Sequence, residues 1–202
     1  MFKSIIAKSL IVAGIAGSMF MFQSCTDSEE DKVKNDEIQL DDDYYEFQVF
    51  DMAEHGIPAY ISLPDETANI GASTKPDVQH IDDDIYWQIS VGPNFTLNIE
   101  DYASIKDLVK VEKKELAAKK FFNVKYLVDD PDLIIYERTL VVKGTDKASP
   151  TVGVEHRSYH VYGQKTIDGV NYSLESKEEG YEKNIIELMA KSIRSFKPRS
   201  AS

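Results

Sequence analysis

The feature that most constrains this chain is a series of short runs that alternate apolar and polar residues, many of them aromatic, with hairpin-length connections between them. Runs at 44–50 (YYEFQVF), 58–64 (PAYISLP), 85–91 (IYWQISV), 95–101 (FTLNIED), 121–130, 133–142, 152–166 and 170–176 (VNYSLES) have this character. Side chains two apart on a strand point the same way. Ile85, Trp87, Ile89 and Val91 therefore share one face, and Phe95, Leu97 and Ile99 share one on the next run. Gly92-Pro93-Asn94, Asp130-Pro131-Asp132 and Asp168-Gly169 are turn signals. Pro58 and Pro64 bracket the second run, which suits an edge strand or a strand end. Residues 65–80 read as a loop. Connections this short join antiparallel neighbours.

Two segments carry helical spacing instead. In 104–120, Ile105, Leu108, Val109 and Leu116 recur between lysines and glutamates, with Ser104 and Asp107 at the expected start. Near the end, Tyr181, Ile185, Leu188, Met189, Ser192 and Phe196 form a stripe. Ser176 and Glu179 have capping-box spacing, and Pro198 is a stop. The order strands, helix, strands, helix predicts an α+β fold, a largely antiparallel sheet covered by two helices. Three stretches in order, Gly56 to Pro64, Gly169 to Leu174 and Ile193 to Phe196, make residues 44–197 resemble the Mog1/PsbP-like fold. That resemblance implies a binding or assembly module rather than an enzyme.

The N-terminus carries a different signal. Lys3 and Lys8 precede an apolar stretch of about 14 residues, the length of a signal-peptide core and too short for a comfortable span. Phe22-Gln23-Ser24-Cys25 resembles a lipobox, and Cys25 is the chain's only cysteine. The expectation is a lipoprotein signal peptide over 1–24, with Cys25 lipidated as a membrane anchor. More than one acyl chain is needed for stable anchoring, each buried CH₂ contributing ~0.8 kcal/mol. An acidic, aperiodic tether is expected over 25–40, too poor in apolar residues to pack, and a single domain over 41–198. Asp27, Glu29, Glu30 and Asp31 resemble a post-cysteine export signal, with a plain solvated linker as the alternative. The expected location is the outer membrane, at the cell surface or on the periplasmic face.

The formal net charge is −12. Loss of residues 1–24 would remove two lysines and no acid, leaving the chain more negative still. Such a balance repels nucleic-acid phosphates, so no nucleic-acid partner is expected.

Candidate chemistry is sparse. His156 and His160 are four apart, but on a strand they would lie roughly 13 Å apart, too far for two zinc–nitrogen bonds of ~2.1 Å. They should share a face with Ser158 and Tyr162. Asp41 to Asp43, Asp82 to Asp84, and Asp129, Asp130 and Asp132 read as solvated turns, the last group being the best calcium candidate. No metal, other cofactor or catalytic residue is assigned. Outward-facing Tyr159 and Tyr162, beside His156 and His160, are candidates for a ligand surface, since tyrosine suits interfaces and ordinary strands alike. The expected role is a non-catalytic binding or assembly module whose partner is an envelope protein or an extracellular ligand. A small envelope hydrolase with His156 or His160 as base, or a stress or immunity lipoprotein, are the alternatives.

Overall fold

The alternation resolves into a sheet with two unlike faces. The computed structural model describes residues 38, 40–71, 75–82, 85–140 and 157–199, within a unit running from Asp36 to Ser202. Cys25, the acidic patch after it and the expected signal peptide lie outside the described residues, as does His156.

In chain order the elements are β1 (Phe47–Asp51), β2 (Ala59–Pro64), β3 (Asp77–Asp82), β4 (Tyr86–Val91), β5 (Phe95–Asp101), α1 (Leu108–Ala118), β6 (Phe122–Asp129), β7 (Leu133–Leu140), β8 (Arg157–Ile167), β9 (Val170–Ser176), α2 (Lys183–Ser195) and β10 (Lys197–Pro198). Seven strands form one sheet in the order β3-β4-β5-β9-β8-β7-β6, and β1-β2-β10 form a second. Neighbours are antiparallel throughout. The α+β class and the two covering helices are as expected.

The first face of the large sheet is apolar. Trp87, Ile89, Val91, Phe95, Leu97 and Ile99 are buried on it, while Ile85 falls outside the strand and is exposed. Ile186, Met189 and Ile193 of α2 and Ala59, Ile61 and Leu63 of β2 complete this core. The alternate residues of β7 and β8 face the other way. There Ile134, Tyr136 and Tyr162 pack under Leu108, Val109 and Leu116 of α1. The two helices therefore cover opposite faces.

Several details depart from expectation. β3 lies mostly inside the segment read as loop. It is an edge strand paired only to β4, and its polar residues leave no apolar rhythm to detect. Ser104 and Asp107 do not cap α1. Asp107 is left-handed and makes no side-chain cap. Gln164 of β8 supplies the missing acceptor, its Oε1 taking the Val109 N–H at 3.3 Å, which ties the helix start to the sheet. Ser176 does not begin α2. It ends β9, where its Oγ accepts the Val161 N–H. The expected tether also ends early: Ile38 is buried and Leu40 packs on the same core, because both are apolar and two apart. Asp168 and Gly169 both have positive φ, the backbone that a two-residue β8–β9 turn requires.

Gly163 marks where β8 and α2 approach most closely. A Cβ there would sit 2.6 Å from Ile193 Cγ2 and 3.2 Å from Leu133 Cδ1. Neither β-branched Ile193 nor its buried neighbours have room to yield. Gly163→Ala should therefore destabilise the fold by about 1–3 kcal/mol through overpacking, read as a lower urea midpoint with an unchanged slope.

Candidate functional site

One helix cannot cover seven strands. Among the described residues, α1 lies over β6, β7 and β8, and no helix lies on the second face of β9, β5 and β4. A cavity of about 440 Å³ occupies the space between the flank of α1 and those strands. That volume is within the range of small-molecule sites.

Register sets its walls. Tyr162 pairs with Glu175, and Glu175 with Asn98 across β8, β9 and β5, so these three side chains form a row along the floor. Gln88 donates to Asn98 Oδ1 at 3.1 Å, which fixes the amide. Val111, Glu112, Glu115 and Lys119 line the side of α1, and Tyr86 of β4 stands opposite. Tyr102 lies towards one end, its N–H bonded to the Asn171 carbonyl. Arg138, His160, Lys177 and Glu178 lie towards the other.

The end formed by Arg138 is closely built. Arg138 is 5 % exposed. Its Nε donates to His160 Nε2 at 2.9 Å, its Nη2 donates to the Glu178 carbonyl, and its guanidinium lies 4.7 Å from the Phe122 ring centroid. The His160 ring stacks on Tyr136 at 5.2 Å, and Ser158 Oγ is 2.8 Å from the same Nε2. Burial, then the Arg138 charge, push the imidazole down to about 3, so it stays neutral at physiological pH. Gly180 makes this packing possible. It has φ +77°, and a Cβ there would come within 2.6 Å of His160 Cε1 and 2.7 Å of the Tyr159 carbonyl.

The middle of the cavity is acidic. Burial first, then the charges of Glu112 and Glu100, raise Glu175 to about 7, with Lys119 acting in the opposite sense. Glu112 is also raised, chiefly by burial. Tyr136 Oη donates to Glu112 Oε1 at 3.4 Å and Tyr102 Oη to Glu100 Oε2 at 2.9 Å. Two of the four neighbouring carboxylates thus receive a phenol hydrogen. A half-buried carboxylate that titrates near neutrality beside a cavity is a recognisable mark of a functional site.

Of the residues singled out in the sequence, His160 and Tyr162 line this cavity. Neither is outward-facing: they are 2 % and 7 % exposed. Tyr159 lies on the opposite face, packed on the main core and backbone-paired with Tyr181, because an odd spacing on a strand reverses direction. The two tyrosines therefore do not form one surface. Ser158, His160 and Tyr162 do share a face, as expected. Among the aspartates proposed for calcium, each carboxylate of the β6–β7 turn has its own cation. Asp129 pairs with Lys113 at 2.6 Å, Asp130 with Arg194 at 3.3 Å and Asp132 with Lys165 at 3.6 Å. They do not converge, and the described residues hold no cluster of three or more metal-ligating side chains. Arg138, Glu175 and Glu112 carry little local signal: the first two are charges inside alternating strands, and Glu112 is one of many charges on α1. No family model, curated protein or solved structure matches this chain.

Glu175 and His160 act in opposite directions on the pH dependence of stability. Glu175 is raised in the folded state, so its contribution is complete below about 4.5 and is lost as pH rises through 7. His160 is lowered, so its contribution is complete above about 6.5 and is lost as pH falls towards 3. Comparison of Glu175→Gln with wild type isolates the first effect. The variant should gain stability relative to wild type between pH 5 and pH 8, by up to about 3 kcal/mol, in denaturant melts at fixed salt. A constant difference across that range would mean Glu175 is ionised throughout.

Proposed function

We propose that this chain is a lipid-anchored envelope lipoprotein whose folded domain, of Mog1/PsbP-like architecture, is a non-catalytic binding module. The cavity beside α1 is the observation that carries the binding role. It is large enough for a small ligand, lined by side chains from separate elements, and holds a carboxylate poised near neutrality. The anchor rests on Cys25 and on the apolar stretch before it. The two-helix antiparallel architecture is compatible with the Mog1/PsbP-like reading.

A hydrolytic role has one observation in its favour, the 2.8 Å contact between Ser158 Oγ and His160 Nε2. Against it, the same nitrogen already accepts from Arg138, and an imidazole held near 3 is too weak a base to take a serine proton at neutral pH. The binding reading needs no such step.

Anchoring is tested by membrane fractionation of cells expressing the full chain. Wild type should partition with membranes and release only in detergent, and Cys25→Ala should appear in the soluble fraction. Equal membrane association of both would overturn the anchor. Protease treatment of intact cells then assigns the face: loss of the domain places it outside, with the acidic patch as export signal, and protection places it in the periplasm. Turnover of a defined substrate, abolished by Ser158→Ala or His160→Gln in a folded protein, would overturn the binding role.

A further inference from the structure

We propose that the cavity beside α1 takes a small organic cation, an amine or quaternary ammonium group, held by Glu175 within walls of tyrosine. This deepens the binding-module reading and rests on it.

Two kinds of group hold such an ion. Carboxylates supply charge, and aromatic rings supply an apolar wall that tolerates, and at close range attracts, a poorly hydrated cation. Both line the same cavity here. Tyr86, Tyr102, Tyr136 and Tyr162 stand around Glu112 and Glu175. The hydrogen bonds already made distinguish these acids. The Tyr136 hydroxyl is committed to Glu112 and the Tyr102 hydroxyl to Glu100. Glu175 lies on the floor of the cavity, in register with Tyr162 on one side and Asn98 on the other.

The cavity's own cations do not make it an anion site. Arg138 directs Nε to His160 and Nη2 to the Glu178 carbonyl, and stacks on Phe122. Its charge holds the 177–180 turn and the imidazole. Lys119, at the C-cap of α1, carries its ammonium on a long flexible stem, as does Lys177. An ammonium ligand would sit over Glu175 on the cavity floor, between Tyr162 and Asn98 in the row of side chains. The neutral state of His160 removes one further positive charge from the lining.

Isothermal titration of the full-length chain in detergent tests this with four probes of similar size: cadaverine, tetramethylammonium, 1,5-pentanediol and glutarate. Cadaverine and tetramethylammonium should bind, and the neutral diol and the dianion should not. Glu175→Gln should weaken cation binding by roughly 10- to 100-fold, the loss of one charge-assisted contact, with a melting temperature at pH 8 no lower than wild type. Tyr86→Ala, which removes one of the four lining rings, should weaken tetramethylammonium more than cadaverine. Equal affinity in wild type and both variants, or no cation binding at all, overturns the inference. Binding of glutarate instead would overturn the cation assignment and leave the module reading standing, since that reading falls on turnover of a substrate.

Discussion

Much of this structure follows from a mismatch of widths. Seven strands at about 4.8 Å spacing span about 29 Å, and one helix with its side chains is about 10 Å across. The first face resolves the mismatch by adding β1, β2 and β10 beside α2, so every apolar position finds a partner. Among the described residues, the second face has only the 11 residues of α1 as a helix. The strands under that helix carry Ile134, Tyr136 and Tyr162. Those beyond it carry Asn98, Glu100 and Glu175, side chains that tolerate water. Composition along each strand thus follows coverage. The cavity is the boundary between the covered and uncovered parts of one surface.

The charged end of that boundary is stabilised without an acid. A buried guanidinium needs its donors satisfied, and Arg138 finds a ring nitrogen, a backbone carbonyl and an aromatic face. Each partner constrains something else. The imidazole must stay neutral to accept, the carbonyl of Glu178 must turn inward, and Gly180 must be glycine for the chain to pass the ring. The turn between β9 and α2 is therefore shaped by a residue on β7. A carboxylate in place of His160 would pair with the arginine more strongly, but would add charge to an already acidic cavity.

How much of this was legible depended on how local each feature is. The hairpin over 85–101 was readable because Trp87, Ile89, Leu97 and Ile99 alternate within a few residues of a turn. The α2 stripe was readable for the same reason, although Ile186 and Ile193 widen its buried face beyond the residues picked out. β3 escaped because an edge strand is held by backbone pairing and carries His80, Gln79 and Asp77 with little apolar rhythm. The start of α1 escaped because its cap is Gln164, 55 residues away. The site escaped almost wholly. Glu175 meets Asn98 only because β9 inserts between β5 and β8, a pairing that no short window of sequence contains. Tyr159 and Tyr162 were grouped by proximity in the chain, which on a strand is the wrong guide when the spacing is odd.

Long-range charge and local geometry point the same way at this cavity. A net charge of −12 gives the whole chain a negative field, and a concave site concentrates such a field. Tyrosines stand among the charged residues of the lining, and their hydroxyls are held protonated by burial and by the same carboxylates. Tyr136 and Tyr102 each donate to an acid, and none of these phenols adds charge of its own. An incoming cation meets carboxylates partly withdrawn from solvent and ring faces that attract it. A ligand ammonium would act on Glu175 in the same sense as the charge of Lys119, favouring the ionised carboxylate that holds it.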